Sequence, residues 1–151
     1  MKIYITLEDL AQRDDYSRLQ AALSEIGYSV LGSYESRNCR TIVAEAEELE
    51  TEVIAKIEHI KKSIPILEVG TSMKFYVVLN SGVRSADVNP KLRELLKKDN
   101  YEAIVYPSHS ENGISYVGIN IKDLNPLDVE QMNRCKQVIE QIEGINNLII
   151  Y

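Results

Sequence analysis

The heptapeptide MKIYITL, Met1–Leu7, returns as MKFYVVL at Met73–Leu79, 72 residues later in a chain of 151. Both copies alternate apolar and other residues with period two, the pattern of a strand with one buried face. A chain that opens the same strand twice, at its start and near its middle, is expected to fold by one plan used twice.

The segments downstream of the two copies agree with that expectation. After the first comes the polar connection LEDLAQRDD, in which Asp14 or Asp15 suits a helix N-cap. Tyr16, Leu19, Leu23 and Ile26 then recur at steps of three and four, one face of a helix, and Gly27 suits its end. Residues 28–34 and 40–46 read as strands around the polar loop ESRNC. Leu49, Val53, Ile57, Ile60 and Ile64 predict the inner face of a second helix, ended by Pro65, with ILEV as the closing strand. After the second copy comes NSGVRSADV. Asn89-Pro90 then predicts a helix start with a cap residue and a first-turn proline, and Leu92, Leu95 and Leu96 face inward. Residues 101–106 and 114–121 predict strands flanking PSHSENG. Asn125-Pro126 predicts the start of a last helix with Val129, Met132, Cys135, Ile139 and Ile142 inside, Gly144 after it and NLIIY as the final strand.

Each half thus reads strand–helix–strand–strand–helix–strand. This resembles the ferredoxin-like, split βαβ plan, present twice, over essentially the whole chain. The resemblance implies an α+β fold: two tandem βαββαβ units, residues 1–72 and 73–151, each an antiparallel sheet with helices on one face. Units of this size are small for independent stability, so the halves are expected to pack together.

Charge and cysteines narrow the function classes. The chain carries 23 acidic and 17 basic residues, a formal charge of −6, which disfavours a broad nucleic-acid or anionic-membrane surface. The excess is uneven. Residues 1–72 hold 13 acids and 8 bases; residues 73–151 hold 10 and 9. Much of it sits in EAEELETE, where Glu45, Glu47, Glu48, Glu50 and Glu52 read as an acidic start to the second helix. Acids suit a helix N-terminus, but five exceed what the dipole asks for, and Glu47, Glu48 and Glu50 are candidate contacts for a basic partner. Cys39, read in a polar loop, and Cys135, read on a helix, lie in no CxxC pair or metal-ligand spacing. With no basic and apolar leader and no apolar run of membrane-spanning length, the expected compartment is the cytoplasm.

Few residues suggest chemistry. The opening strand, acidic turn and DYSRLQAALSEIG resemble the start of the small CRISPR-associated and virulence-associated ferredoxin-like nucleases. That resemblance implies a divalent cation held at the end of the first strand, where Glu8 and Asp9 stand. The strand ends in TLED rather than Tyr-Asp, and the second half has Asn80-Ser81 at the matching place. Neither His59 nor His109 sits in the H-x-[ST] motif of a two-histidine phosphoesterase. The hairpin segment YESRNCR offers Arg37, Asn38 and Arg40, and YPSHSENG offers His109, Glu111 and Asn112, as candidate binding residues. Tyr4, Tyr76, Tyr106 and Tyr116 on strands are candidates for stacking on bases, without the aromatic string of RNA-recognition modules. No phosphate-cradling glycine loop, zinc spacing or HExxH is present, and no metal or cofactor is expected.

The reading that fits these features is a non-catalytic binding or regulatory module acting through a protein partner or small regulator, of the kind an inhibitor or immunity protein is. It is expected as a monomer with pseudo-twofold symmetry or as a homodimer. The alternatives are a metal-dependent nuclease using Glu8 and Asp9, and a nucleic-acid binder using the open sheet and the Arg37/Arg40 loop.

Overall fold

The computed structural model describes residues 1–8, 11–36, 39–106 and 109–150, the side chains of Ser36, His109, Glu111 and Ile150 excepted. Along the chain run β1 (Lys2–Leu7), α1 (Arg13–Glu25), β2 (Ser29–Ser36), β3 (Cys39–Glu45), α2 (Glu50–Ile60) and β4 (Ile66–Gly70). Then come β5 (Ser72–Leu79), α3 (Ser85–Lys98), β6 (Ala103–Val105), β7 (His109–Glu111), β8 (Ile114–Lys122), α4 (Val129–Glu140) and β9 (Ile145–Ile150). The chain divides into two compact units, Met1–Ser72 with Asn125–Leu127, and Met73–Leu124 with Asp128–Tyr151.

The first sheet has the order β2-β3-β1-β4 and the second β6-β8-β5-β9, with β7 also pairing β8. In both, the opening strand (β1, β5) lies between the next-to-last strand (β3, β8) and the last (β4, β9), and the second strand (β2, β6) is at an edge. That is the ferredoxin-like order, so the chain is an α+β protein of two tandem ferredoxin-like units. The repeat reaches finer detail than strand order. In the first unit the β1–β4 register slips between Thr6 and Leu7, with Thr6 opposite Glu68 and Leu7 opposite Ile66. In the second the β5–β9 register slips between Val78 and Leu79, with Val78 opposite Asn147 and Leu79 opposite Ile145. The residue after each slip donates a backbone hydrogen bond to the segment before the last strand: Glu8 to Pro65 at 2.9 Å, Asn80 to Gly144 at 2.7 Å. On β1 and β5 both devices recur at the 72-residue offset of the two heptapeptides.

Alternation sets the cores. Ile3, Ile5 and Leu7 join Leu19 and Leu23 of α1 and Val53 and Ile57 of α2 in one buried cluster. Phe75, Val77 and Leu79 are likewise buried, as are Leu92 and Leu96 of α3 and Cys135 and Ile139 of α4. Each such side chain contributes roughly 1.5–3 kcal/mol by leaving water.

α1 and α3 end alike. Gly27 and Asn100 both have positive φ, +87° and +62°. Their N–H groups donate to Ser24 and Lys97, and the next residues, Tyr28 and Tyr101, donate to Leu23 and Leu96. This is the Schellman pattern, in which a left-handed residue lets the chain turn back on the last carbonyls.

The helix starts differ from the sequence reading. The N-cap of α1 is Gln12, and Asp15 accepts from the Gln12 N–H at 2.9 Å instead of capping. α3 begins at Ser85, so Pro90 lies inside it rather than in its first turn. The carbonyl that proline leaves without a donor belongs to Ala86, in an exposed first turn. α4 is capped by Asp128, whose Oδ1 accepts from the Gln131 N–H, while Asn125 Oδ1 accepts from the Leu127 N–H in the preceding turn. Leu49 precedes α2 and Val129 opens α4. They are 71% and 70% exposed, off the inner faces expected of them. α2 stops at Ile60, and Ile64 is buried from the turn beyond it. Cys39 begins β3 instead of lying in a loop, and β7 occupies part of the segment read as loop before β8.

Candidate functional site

At the end of the first unit where β1 runs into α1 and β2 into β3 there is a cleft of about 670 Å³. Its lining includes Glu8, Gln12, Arg13, Tyr16, Glu35 and Arg40. The topology gathers them. Glu8 comes directly after β1 and is fixed by its backbone donation to Pro65. Gln12 and Arg13 begin α1, and Tyr16 lies one turn in. Glu35 and Arg40 face each other across β2 and β3.

Arg40 is the best-anchored charge there. Its Nη2 lies 2.7 Å from Glu35 Oε1, and its guanidinium sits 4.9 Å from the centroid of the Tyr16 ring. Gln20 Nε2 in turn donates to Tyr16 Oη at 3.1 Å, which holds the ring in place. An exposed cation over an aromatic face gains about 0.5–1 kcal/mol, enough to bias a long side chain toward one pose. Arg18 is turned elsewhere, ion-paired to Asp15 at 3.2 Å and donating to the Ser63 carbonyl at 2.8 Å. Among the described residues the cleft presents two cations, Arg13 and Arg40, against two carboxylates, Glu8 and Glu35.

Two residues suggested by separate sequence arguments, Glu8 and Arg40, thus meet in one place. Asp9, Arg37 and Asn38 lie outside the described residues, as do the side chains of His109 and Glu111. Among the described residues no group of three or more His, Cys, Asp or Glu side chains is placed to hold a metal ion. Asn112 and Gly113 have φ of +53° and +79° and join Glu111 to Ile114, a two-residue hairpin turn of the Asn-Gly kind. His59 is an exposed residue of α2. Tyr4 is buried, whereas Tyr76 and Tyr106 flank Gly118, and Tyr106 Oη accepts from Asn120 at 3.1 Å.

The acidic segment is spread over the end of β3, the connection after it and the start of α2. Glu45 ends β3, and only Glu50 and Glu52 lie in the first turn of α2. Glu48 accepts from Tyr28 Oη at 3.2 Å and from Lys56 Nζ at 2.5 Å. Glu50 accepts from Thr71 Oγ1 at 3.0 Å, and Glu47 is exposed. Glu45, Glu47 and Glu48 border a second cleft of about 550 Å³ with Tyr28 and Met1. Burial first, and then the Glu48 carboxylate, push the Tyr28 phenol up to about 12. The hydrogen bond from Lys56 holds the Glu48 carboxyl below its ordinary range.

Sequence reasoning missed Arg13, Tyr16 and Glu35 as cleft residues. Arg13 falls in the polar connection LEDLAQRDD, Glu35 in the polar loop ESRNC, and Tyr16 reads as part of a helix's inner face. The signal that could have found Glu35 is hairpin register, which sets it opposite Arg40.

No family model matches the chain, and no curated protein matches it in sequence. Several solved structures are similar to it at low identity and low TM-score. The regulatory subunit of aspartate kinase from Thermus thermophilus matches 93% of this chain and 90% of its own, at 14% identity and a TM-score of 0.38. Aspartate kinase from Clostridium acetobutylicum matches 92% of this chain at 16% identity and a TM-score of 0.39; the match spans 32% of that enzyme. The small subunit of acetolactate synthase from Thermotoga maritima matches 99% of this chain and 91% of its own, at 6% identity and a TM-score of 0.36. The fold assignment stands on strand order and register, not on these scores. No helix among the described residues is long and apolar enough to cross a membrane.

Proposed function

We propose that this chain is a non-catalytic binding module with regulatory character, and that the cleft at the loop end of its first unit takes up a small dipolar ligand. The observation that carries the reading is the convergence of Arg13 and Arg40 with Glu8 and Glu35 around one open volume. A ligand bearing an anionic and a cationic group a few ångströms apart meets a partner for each. A singly charged ligand meets one attraction and one repulsion. The Tyr16 ring holds the Arg40 guanidinium at the cleft wall before a ligand arrives, which lowers the ordering cost of binding.

Isothermal titration of the full chain with a panel of small zwitterions and matched simple anions tests this. The expected result is measurable binding of at least one zwitterion. Arg40→Gln and Arg13→Gln should each weaken it about tenfold or more, as loss of a charged hydrogen-bond partner does. Binding that survives both substitutions would place the ligand elsewhere, and no binding across the panel would sink the reading.

A further inference from the structure

Arg40 already has an anion. We infer that Glu35 is an internal counter-ion which an incoming anionic group displaces from Arg40, so that Glu35 sets the cleft's selectivity against plain anions. The inference rests on the reading of the cleft as a ligand site.

Glu35 and Arg40 are paired twice over. Backbone register puts them opposite each other on β2 and β3, and their side chains meet at 2.7 Å. Both line the cleft, so an anion that takes Arg40 Nη2 there competes with Glu35. The guanidinium carbon lies over the Tyr16 ring, and that contact can persist while Nη2 changes partner. The Glu35 side chain is 70% exposed and the Arg40 side chain 42%. An ion pair this open to water is weak, so it can be exchanged for a ligand without unfolding anything. A released Glu35 stays beside the bound anion. There it repels a second negative charge and attracts an adjacent cation, which makes displacement more favourable for a dipolar ligand than for a simple anion.

Titration of inorganic phosphate into the full chain, followed by chemical shifts of the Arg40 and Tyr16 side chains, tests this. Glu35→Gln keeps the hairpin and the side-chain length while removing the competing charge. It should bind phosphate about two- to fivefold more tightly than the unsubstituted protein, the range a solvent-exposed ion pair allows. Glu8→Gln removes the same charge from the same cleft and leaves the Arg40 pair in place; its gain should be smaller. Adding Arg40→Gln to Glu35→Gln should abolish the gain. Equal phosphate affinity in Glu35→Gln and the parent, an equal gain in Glu8→Gln, or a gain that persists without Arg40 overturns the inference. Failure of the ligand-site reading shows differently: no zwitterion binds the parent, yet the freed Arg40 of Glu35→Gln still takes phosphate.

Discussion

The two units differ in side-chain chemistry at the hairpin ends of β2–β3 and β7–β8. In the first, the register pair next to the end of the hairpin is Glu35 opposite Arg40, an ion pair. In the second it is Ser110 opposite Ser115, whose hydroxyls lie 3.2 Å apart. The helix facing it differs too: with Gly27 matched to Asn100, the position of Tyr16, half-exposed under Arg40, is taken in the second unit by Asn89. One duplicated backbone therefore carries a charged cleft in one copy and a neutral hydroxyl pair in the other. Pairing geometry is set by backbone register, which the copies share. Ligand chemistry is set by a few side chains at the loop end, which they do not share.

The largest effect is expected at the ends of α1 and α3, where the two units are most alike. Gly27 and Asn100 hold the same left-handed turn, but only glycine does so without steric cost. Gly27→Ala is expected to destabilise the protein by about 1–2 kcal/mol, all of it from the backbone, because nothing lies within 4 Å of the added Cβ. Asn100→Gly should stabilise it by up to about 1 kcal/mol. Urea unfolding of both variants checks the pair. Equal, small effects would mean that the two helix ends do not carry the same turn in solution.

The tyrosines just beyond those turns offer a second test. Burial is the leading cause that raises both phenols, and at Tyr28 the Glu48 carboxylate adds to it. An unfolded tyrosine loses its proton near pH 10. Because the folded Tyr28 holds its proton to about 12, its contribution to stability is complete below pH 10 and is lost as pH rises through that window. Glu48→Gln should lower the Tyr28 titration and leave that of Tyr101 unchanged. Phenolate absorbance, with Tyr28→Phe to identify the residue, measures this. A Tyr28 titration unmoved by Glu48→Gln would remove the carboxylate from the explanation.

The smallest effect comes from building one unit's hairpin into the other. Ser110→Glu with Ser115→Arg recreates the pairing of Glu35 and Arg40 on β7 and β8. A double-mutant cycle should return a coupling of about 0.2–1 kcal/mol that shrinks with added salt. No coupling at low salt would show that Tyr16, for which the second unit has Asn89, is needed to hold the arginine in register.

Periodicity and punctuation along the chain were enough for the tandem fold. The alternation in Met1–Leu7 and Met73–Leu79, the three-four spacing of Leu19 and Leu23, and Gly27 are local signals, and local signals decide which faces a strand or helix buries. Local signals were also what misplaced the helix starts. Asn89-Pro90 and Asn125-Pro126 are good starts in isolation, but the core needed α3 to begin at Ser85 so that Val88 is buried, and Asp128 made a better cap for α4. The acidic run from Glu45 to Glu52 read as one helix end because sequence shows neighbours, not partners. Folding gave Glu48 to Tyr28 and Lys56, and Glu50 to Thr71. The cleft was beyond reach for the same reason. Glu8, Arg13, Glu35 and Arg40 come from four separate segments, and only the strand order β2-β3-β1-β4 with α1 above it brings their side chains to one volume. Burial patterns are written residue by residue, whereas a site assembled across strands depends on register and closure, which exist only once the sheet has formed.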